Sequence, residues 1–118
     1  MAQRATKFEF YEKSEFCTGR RLAGKLSPSS RETYTIPVGG NFTFEFYQTE
    51  STDNRYCLTN LRFTPEPGGR YVFETTQASS RCVWRMQELS EGQGTKAVTL
   101  RNVGWNSAFD NSGSFCRQ

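Results

Sequence analysis

The 118-residue chain contains no histidine. That absence removes Ser-His-Asp and Cys-His nucleophilic schemes along with the commonest general base, so any catalysis would rest on carboxylates. No apolar run approaches the roughly 18 residues of a membrane-spanning helix, and Met1-Ala2-Gln3-Arg4 is not followed by the apolar segment of an export signal. A strong charge of one sign is missing too. Fifteen Lys plus Arg against twelve Asp plus Glu leave +3, interspersed along the chain, which is not the footprint of a nucleic-acid binder. Only four cysteines are present, Cys17, Cys57, Cys82 and Cys116, with no C-x-x-C pair among them; without histidine, neither a zinc site nor any other cofactor is expected. Internal repeats, low-complexity tracts and linkers are lacking as well.

What is present is aromatic. Ten Phe, five Tyr and two Trp suit strands and argue against disorder, and the length suits one domain. Residues 1 to 6 read as a flexible lead. Phe8 and Phe10 then alternate with Lys7 and Glu9 in a strand of about six residues, and the glycine-rich, basic stretch from Cys17 to Leu26 offers only a short strand before Ser27-Pro28-Ser29-Ser30. Tyr34 and Ile36 alternate with threonines, Pro37 and Gly39-Gly40 turn the chain, and Phe42, Phe44 and Phe46 follow on one core face. Thr43 and Glu45 are expected to face solvent, and Gln48 to Arg55 to form an exposed loop.

The stretch from Tyr56 to Trp84 is the centre of the pattern. Cys57, Leu61 and Phe63 alternate with polar residues, Pro65, Pro67, Gly68 and Gly69 break the run, and Tyr71 and Phe73 restart it before Cys82, Trp84 and Met86. This predicts antiparallel strands joined by a hairpin turn. Ala97 to Val103 supplies a final strand with Val98 and Leu100 on one face, and Gly104 to Gln118 is an aromatic tail that packs back on the body. Seven or eight short strands, with turn signals at roughly 8 to 12 residue intervals, predict an all-β antiparallel sandwich or small barrel over residues 7–118.

Four isolated cysteines in such a chain read as two disulfides formed in an oxidising compartment. Three pairings are possible; Cys57 with Cys82 and Cys17 with Cys116 are favoured. The first would close a loop of about 25 residues and contribute on the order of 3 to 4 kcal/mol. An oxidised chain with no visible signal is reconciled if the export signal has been removed ahead of Met1.

Cys57, then Phe63-Thr64-Pro65 through Gly68-Gly69-Arg70-Tyr71, then Cys82, resembles the Cys…Phe-x-Pro…Gly-x-x-Tyr…Cys arrangement of small disulfide-bonded bacterial envelope lipoproteins. Ile36-Pro37-Val38-Gly39-Gly40 is similar to a turn of the same domains, so the likeness runs from Ile36 to Trp84. It implies an envelope location and no catalytic residues. Cys17 departs from it, because Ser14-Glu15-Phe16 is not a lipidation box. A lipidated cysteine would lie upstream of Met1, and membrane contact would come only through that anchor.

Glu45 and Glu74 are the carboxylates that a glycosidase-like pair would need, about 5 to 10 Å apart across a cleft; on the alternation they belong to solvated faces, and the chain reads as a non-enzyme. Arg20, Arg21 and Lys25 form the densest basic cluster. Together with Arg62, Arg81, Arg85 and Arg101, on outward-facing or loop positions and interleaved with Tyr47 or Trp105, they could make a nucleic-acid or anionic-glycan surface, although a solvated face partnered by Glu9, Glu45 and Glu74 is the expectation. Trp105, beside Asn106 and Asp110, is the best single contact residue if it is not buried. Asp53 and Asn54 add polar loop chemistry, and the Asn41-Phe42-Thr43 sequon has no assigned role. The expected function is a non-enzymatic periplasmic or outer-membrane-associated binding or structural module whose partner is an envelope protein or a glycan. An immunity or inhibitor protein against a toxic enzyme is the alternative, and a carboxylate-based hydrolase comes last.

Overall fold

The computed structural model describes residues 4–26, 33–50, 55–78, 81–90, 94–108 and 113–116. They form eight strands: β1 (Arg4–Lys13), β2 (Thr18–Leu26), β3 (Phe42–Glu50), β4 (Arg55–Phe63), β5 (Tyr71–Ala78), β6 (Arg81–Ser90), β7 (Gly94–Val98) and β8 (Arg101–Asn102). One antiparallel sheet has the order β2-β1-β3-β4-β8, the other β5-β6-β7. The all-β sandwich expected from the alternation is present. β1 begins at Arg4, inside the stretch assigned to a lead, and β2 is a full nine-residue strand.

Successive side chains of a strand point to opposite faces, so Phe42, Phe44 and Phe46 share one side of β3. Register adds to that row: Phe8 lies opposite Phe46 and Phe10 opposite Phe44 on β1, while Leu61 lies opposite Phe44 and Phe63 opposite Phe42 on β4. The second sheet closes over them. Phe73 meets Phe44 edge-on at 5.1 Å and Phe46 at 5.5 Å, Trp84 meets Phe46, and Tyr71 meets Phe63. Met86 completes the buried cluster. Each fully buried ring of this kind contributes on the order of 1.5 to 3 kcal/mol.

The central stretch is corrected in one respect. Gly69 N donates to Glu66 O at 2.9 Å with Gly68 at φ 75°, a turn with proline at its second position and glycine at its third, the pattern of type II. It is not a hairpin. β4 pairs with β3 and β8, whereas β5 pairs with β6, so the turn hands the chain from one sheet to the other. Ala97 to Val103 is divided in the same way: β7 ends at Val98 beside β6, and β8 joins β4, with Val98 and Leu100 both packed on the core as the chain crosses.

Three further expectations change. Residues 33–38 are not a strand; Tyr34 instead packs edge-on against Phe10 at 5.3 Å, and its hydroxyl occupies the space a side chain at Gly24 would need. Gln48 is buried in β3 and donates to Thr75 Oγ1 of the second sheet, because the β3–β4 ladder runs out to Glu50 and Arg55. Thr43 and Glu45 are buried rather than solvated. They lie on the outer face of the five-stranded sheet, and a segment far away in sequence packs on that face.

That segment is the tail. The Cys17–Cys116 disulfide joins positions 99 residues apart, and both cysteines are buried with Tyr11 and Phe115, against which Val103, Trp105 and Ala108 pack. Cys17 sits in the left-handed region at φ 50°, a conformation that L-residues adopt at a cost. Cys57 is also disulfide-bonded; the side chain of its expected partner Cys82 lies outside the described residues.

Candidate functional site

The register that aligns the phenylalanines on the inner face aligns a polar set on the outer one: Glu9 and Tyr11 from β1, Thr43, Glu45 and Tyr47 from β3, and Tyr56, Asn60 and Arg62 from β4. Glu9 and Glu45 are direct cross-strand neighbours, an arrangement in which like charges repel. Arg20 resolves it. Its Nε donates to Glu9 Oε2 at 2.8 Å and its Nη1 to Glu45 Oε2 at 2.9 Å, while its guanidinium lies 3.9 Å from the centre of the Phe115 ring. Lys7 reaches the other oxygen of Glu9.

Asn60 ties this network to the tail. The Tyr11 hydroxyl donates to Asn60 Oδ1 at 2.6 Å and lies 3.3 Å from Glu45 Oε2. Asn60 Nδ2 donates to the carbonyls of Gly104 and Phe115 at 2.8 and 2.9 Å, so one buried amide recognises two points of the tail backbone. Burial, and after it the Glu45 carboxylate, pushes the Tyr11 hydroxyl far above the usual tyrosine range; Arg20 and the Asn60 hydrogen bond act the other way. Chemically this is a closed brace. Glu45 is 2% exposed and held by Arg20 and Tyr11.

The outer face is open at both ends of β4. At the Tyr56 end, Tyr56 is 64% exposed, its ring 6.3 Å from that of Tyr47, with Lys7 Nζ 5.3 Å from the Tyr47 ring centre. At the Arg62 end, Arg62, Arg101, Asn102 and Glu15 line an open pocket beside Cys116.

The sequence candidates are dispersed. Glu45 and Glu74 do not meet: Glu74 belongs to the second sheet, where it pairs with Arg85, so the paired-carboxylate geometry is not formed. Arg21 pairs with Glu12 at the surface. Trp105 is half-buried against Phe115 at 6.0 Å, its Nε1 buried without a hydrogen-bond partner among the described residues, and Asn106 beside it is exposed. Asp53, Asn54 and Asp110, and the side chains of Lys25 and Arg81, lie outside the described residues. Among the described residues no group of Cys, Asp and Glu is placed to hold a metal. The alternation places Tyr56 and Tyr47 together on the outer face once β3 and β4 are paired in register, a signal present in the sequence that points to an aromatic pair.

Comparison with protein-family models, with curated proteins and with solved structures finds no match.

Proposed function

We propose that this protein is an exported, non-enzymatic β-sandwich module of the bacterial envelope that binds an envelope protein or a glycan, with the tyrosine pair favouring the glycan. The observation that carries the reading is the division of the outer sheet face: its centre is locked beneath a disulfide-held tail, while at one end Tyr56 stands exposed against the half-buried ring of Tyr47, next to Lys7. Rigid aromatic rings with a polar tip suit sugar faces and protein hot spots. A buried disulfide spanning nearly the whole chain accords with an oxidising compartment. The candidate carboxylates are engaged in internal ion pairs, which supports binding over hydrolysis.

The test is a glycan array followed by titration of the best glycan. Tyr56→Ala should abolish saturable binding while changing stability by no more than about 0.5 kcal/mol, as expected for an exposed position. Binding that survives Tyr56→Ala would remove the tyrosine surface from the proposal. Tight one-to-one inhibition of a toxic enzyme, with no glycan bound, would replace the reading with an immunity protein.

A further inference from the structure

At the other end of β4 the structure places Arg62 directly opposite Arg101 of β8. Like charges in that relation are unfavourable, and neither guanidinium is paired with a carboxylate among the described residues. Arg62 is held by neutral acceptors instead: its Nε donates to Thr43 Oγ1 at 2.8 Å and its Nη2 to the carbonyls of Ser14 and Glu15 at 3.0 and 3.2 Å. Thr43 is fully buried, so the anchor is firm. The charge is therefore fixed in direction without being neutralised.

Two more features turn the pair into a site. Asn102, opposite Leu61 on the inner face, accepts at Oδ1 from Thr59 Oγ1 at 2.6 Å and from Gly104 N at 2.9 Å, a clasp that fixes β8 and with it the backbone carrying Arg101. Arg62, Arg101 and Asn102 line one open pocket of about 620 Å³, a volume within the usual range for small-molecule sites. Glu15 is the opposing charge on the rim, and its Oε1 accepts from Asn41 Nδ2 at 2.9 Å. Guanidiniums suit carboxylates and phosphates through paired, charge-assisted hydrogen bonds. A bare ion would leave most of this space empty, and the polar lining suits hydroxyl groups.

We propose that this pocket binds an acidic sugar, its carboxylate or phosphate taken up between Arg62 and Arg101 and its hydroxyl-bearing body lying toward Glu15 and the Gly104 backbone. The site is separate from the tyrosine pair, since Tyr56 and Arg62 are about 20 Å apart along β4 at the usual strand rise, and the two proposals fail independently.

The experiment follows backbone amide resonances of the full chain during titration, at constant ionic strength, with glucuronate, glucose 6-phosphate, inorganic phosphate and glucose. Saturable shifts at Asn102, Val103 and Gly104 with at least one of the two acids, none with glucose, and at least a tenfold weaker response in Arg101→Ala are expected, one charge-assisted contact accounting for about a tenfold change. Whether glucuronate or glucose 6-phosphate binds tighter separates carboxylate from phosphate. Arg101 is exposed and makes no anchoring side-chain bond among the described residues, so its variant should fold; Tyr56→Ala should bind the acids as the unaltered chain does. No saturable shift with either acid, or an unchanged response in Arg101→Ala, would overturn the site. Inorganic phosphate binding as tightly as both sugar acids would overturn the assignment to a sugar.

Discussion

β1, β3 and β4 bury both of their faces at the centre, by opposite means. On the inner face Phe8, Phe44, Phe46, Leu61 and Phe63 meet the rings of the second sheet, and the attraction is non-directional and grows with area. On the outer face Glu9, Tyr11, Glu45 and Asn60 meet Arg20 and the tail through defined donors and acceptors. Burying charges costs nearly as much as their pairing returns. The apolar layer therefore supplies the stability, and the polar layer specifies where the tail docks. A cross-link spanning 99 residues compensates for the small net gain of the polar side, which explains why the buried bridge belongs to that layer.

Each layer carries one of the two tryptophans, Trp84 against Phe46 and Trp105 against Phe115, so each can be followed separately. The largest effect should come from Cys17→Ser with Cys116→Ser. Loss of a loop closure of this length lowers stability by about 4 to 5 kcal/mol. In urea titrations of Trp84→Phe and Trp105→Phe backgrounds, Trp105 should respond before Trp84; coincident transitions would show that the two layers form one cooperative unit. Phe46→Ala comes next, with about 3 to 5 kcal/mol lost. There both tryptophans should report a single transition, because the inner layer holds the whole sandwich together.

The same contrast governs what could be read in the sequence. Phe42, Phe44 and Phe46 were legible because a period of two with aromatic residues has one plain meaning in a strand. The outer partners Thr43 and Glu45 carry polar side chains on the opposite phase, which ordinarily means solvent. Glu45 is buried beneath Arg20, which in turn lies on the ring of Phe115 some 70 residues later, and Thr43 is met by Ser14 and Arg62; no local pattern announces such cover. The Pro67-Gly68 turn was legible as a turn but not as a passage between sheets, since turn chemistry fixes a reversal and not the partner of the next strand. The Arg62–Arg101 pocket depends on the register of β8 on β4, a two-residue pairing that leaves no trace in periodicity.

A smaller effect tests whether the polar layer is a brace or a surface feature. Glu45→Gln removes one of the two carboxylate charges that face Arg20 and should cost about 1 to 3 kcal/mol, the range for a buried polar group whose partner is weakened. Glu74→Gln breaks the pair with Arg85, whose side chains are 43% and 65% exposed, and should cost no more than about 1 kcal/mol. Equal costs in chemical denaturation would mean that burial beneath the tail adds nothing to the Glu45 contacts.

The last effect is small near neutrality and takes its distinctive form in alkali. Tyr11 is neutral in both the folded and unfolded chains below the ordinary tyrosine value of 10.0, and its folded value is raised above that, first by burial and then by Glu45. As pH climbs past 10.0 the unfolded chain releases this proton while the folded chain keeps it. The unfolded state then binds fewer protons, so stability falls with rising pH. The contribution is fully present below the unfolded value and is lost as pH rises toward the raised folded one. Tyr11→Phe should lower stability by about 1 kcal/mol near neutrality through the lost hydrogen bond to Asn60, yet decline less steeply above pH 10 than the unaltered chain, so the two curves converge. Every other ionisable group is common to both proteins, so the difference between the curves isolates Tyr11. Parallel curves would place the hydroxyl in contact with water, and the outer layer would then be open where the inner one is sealed.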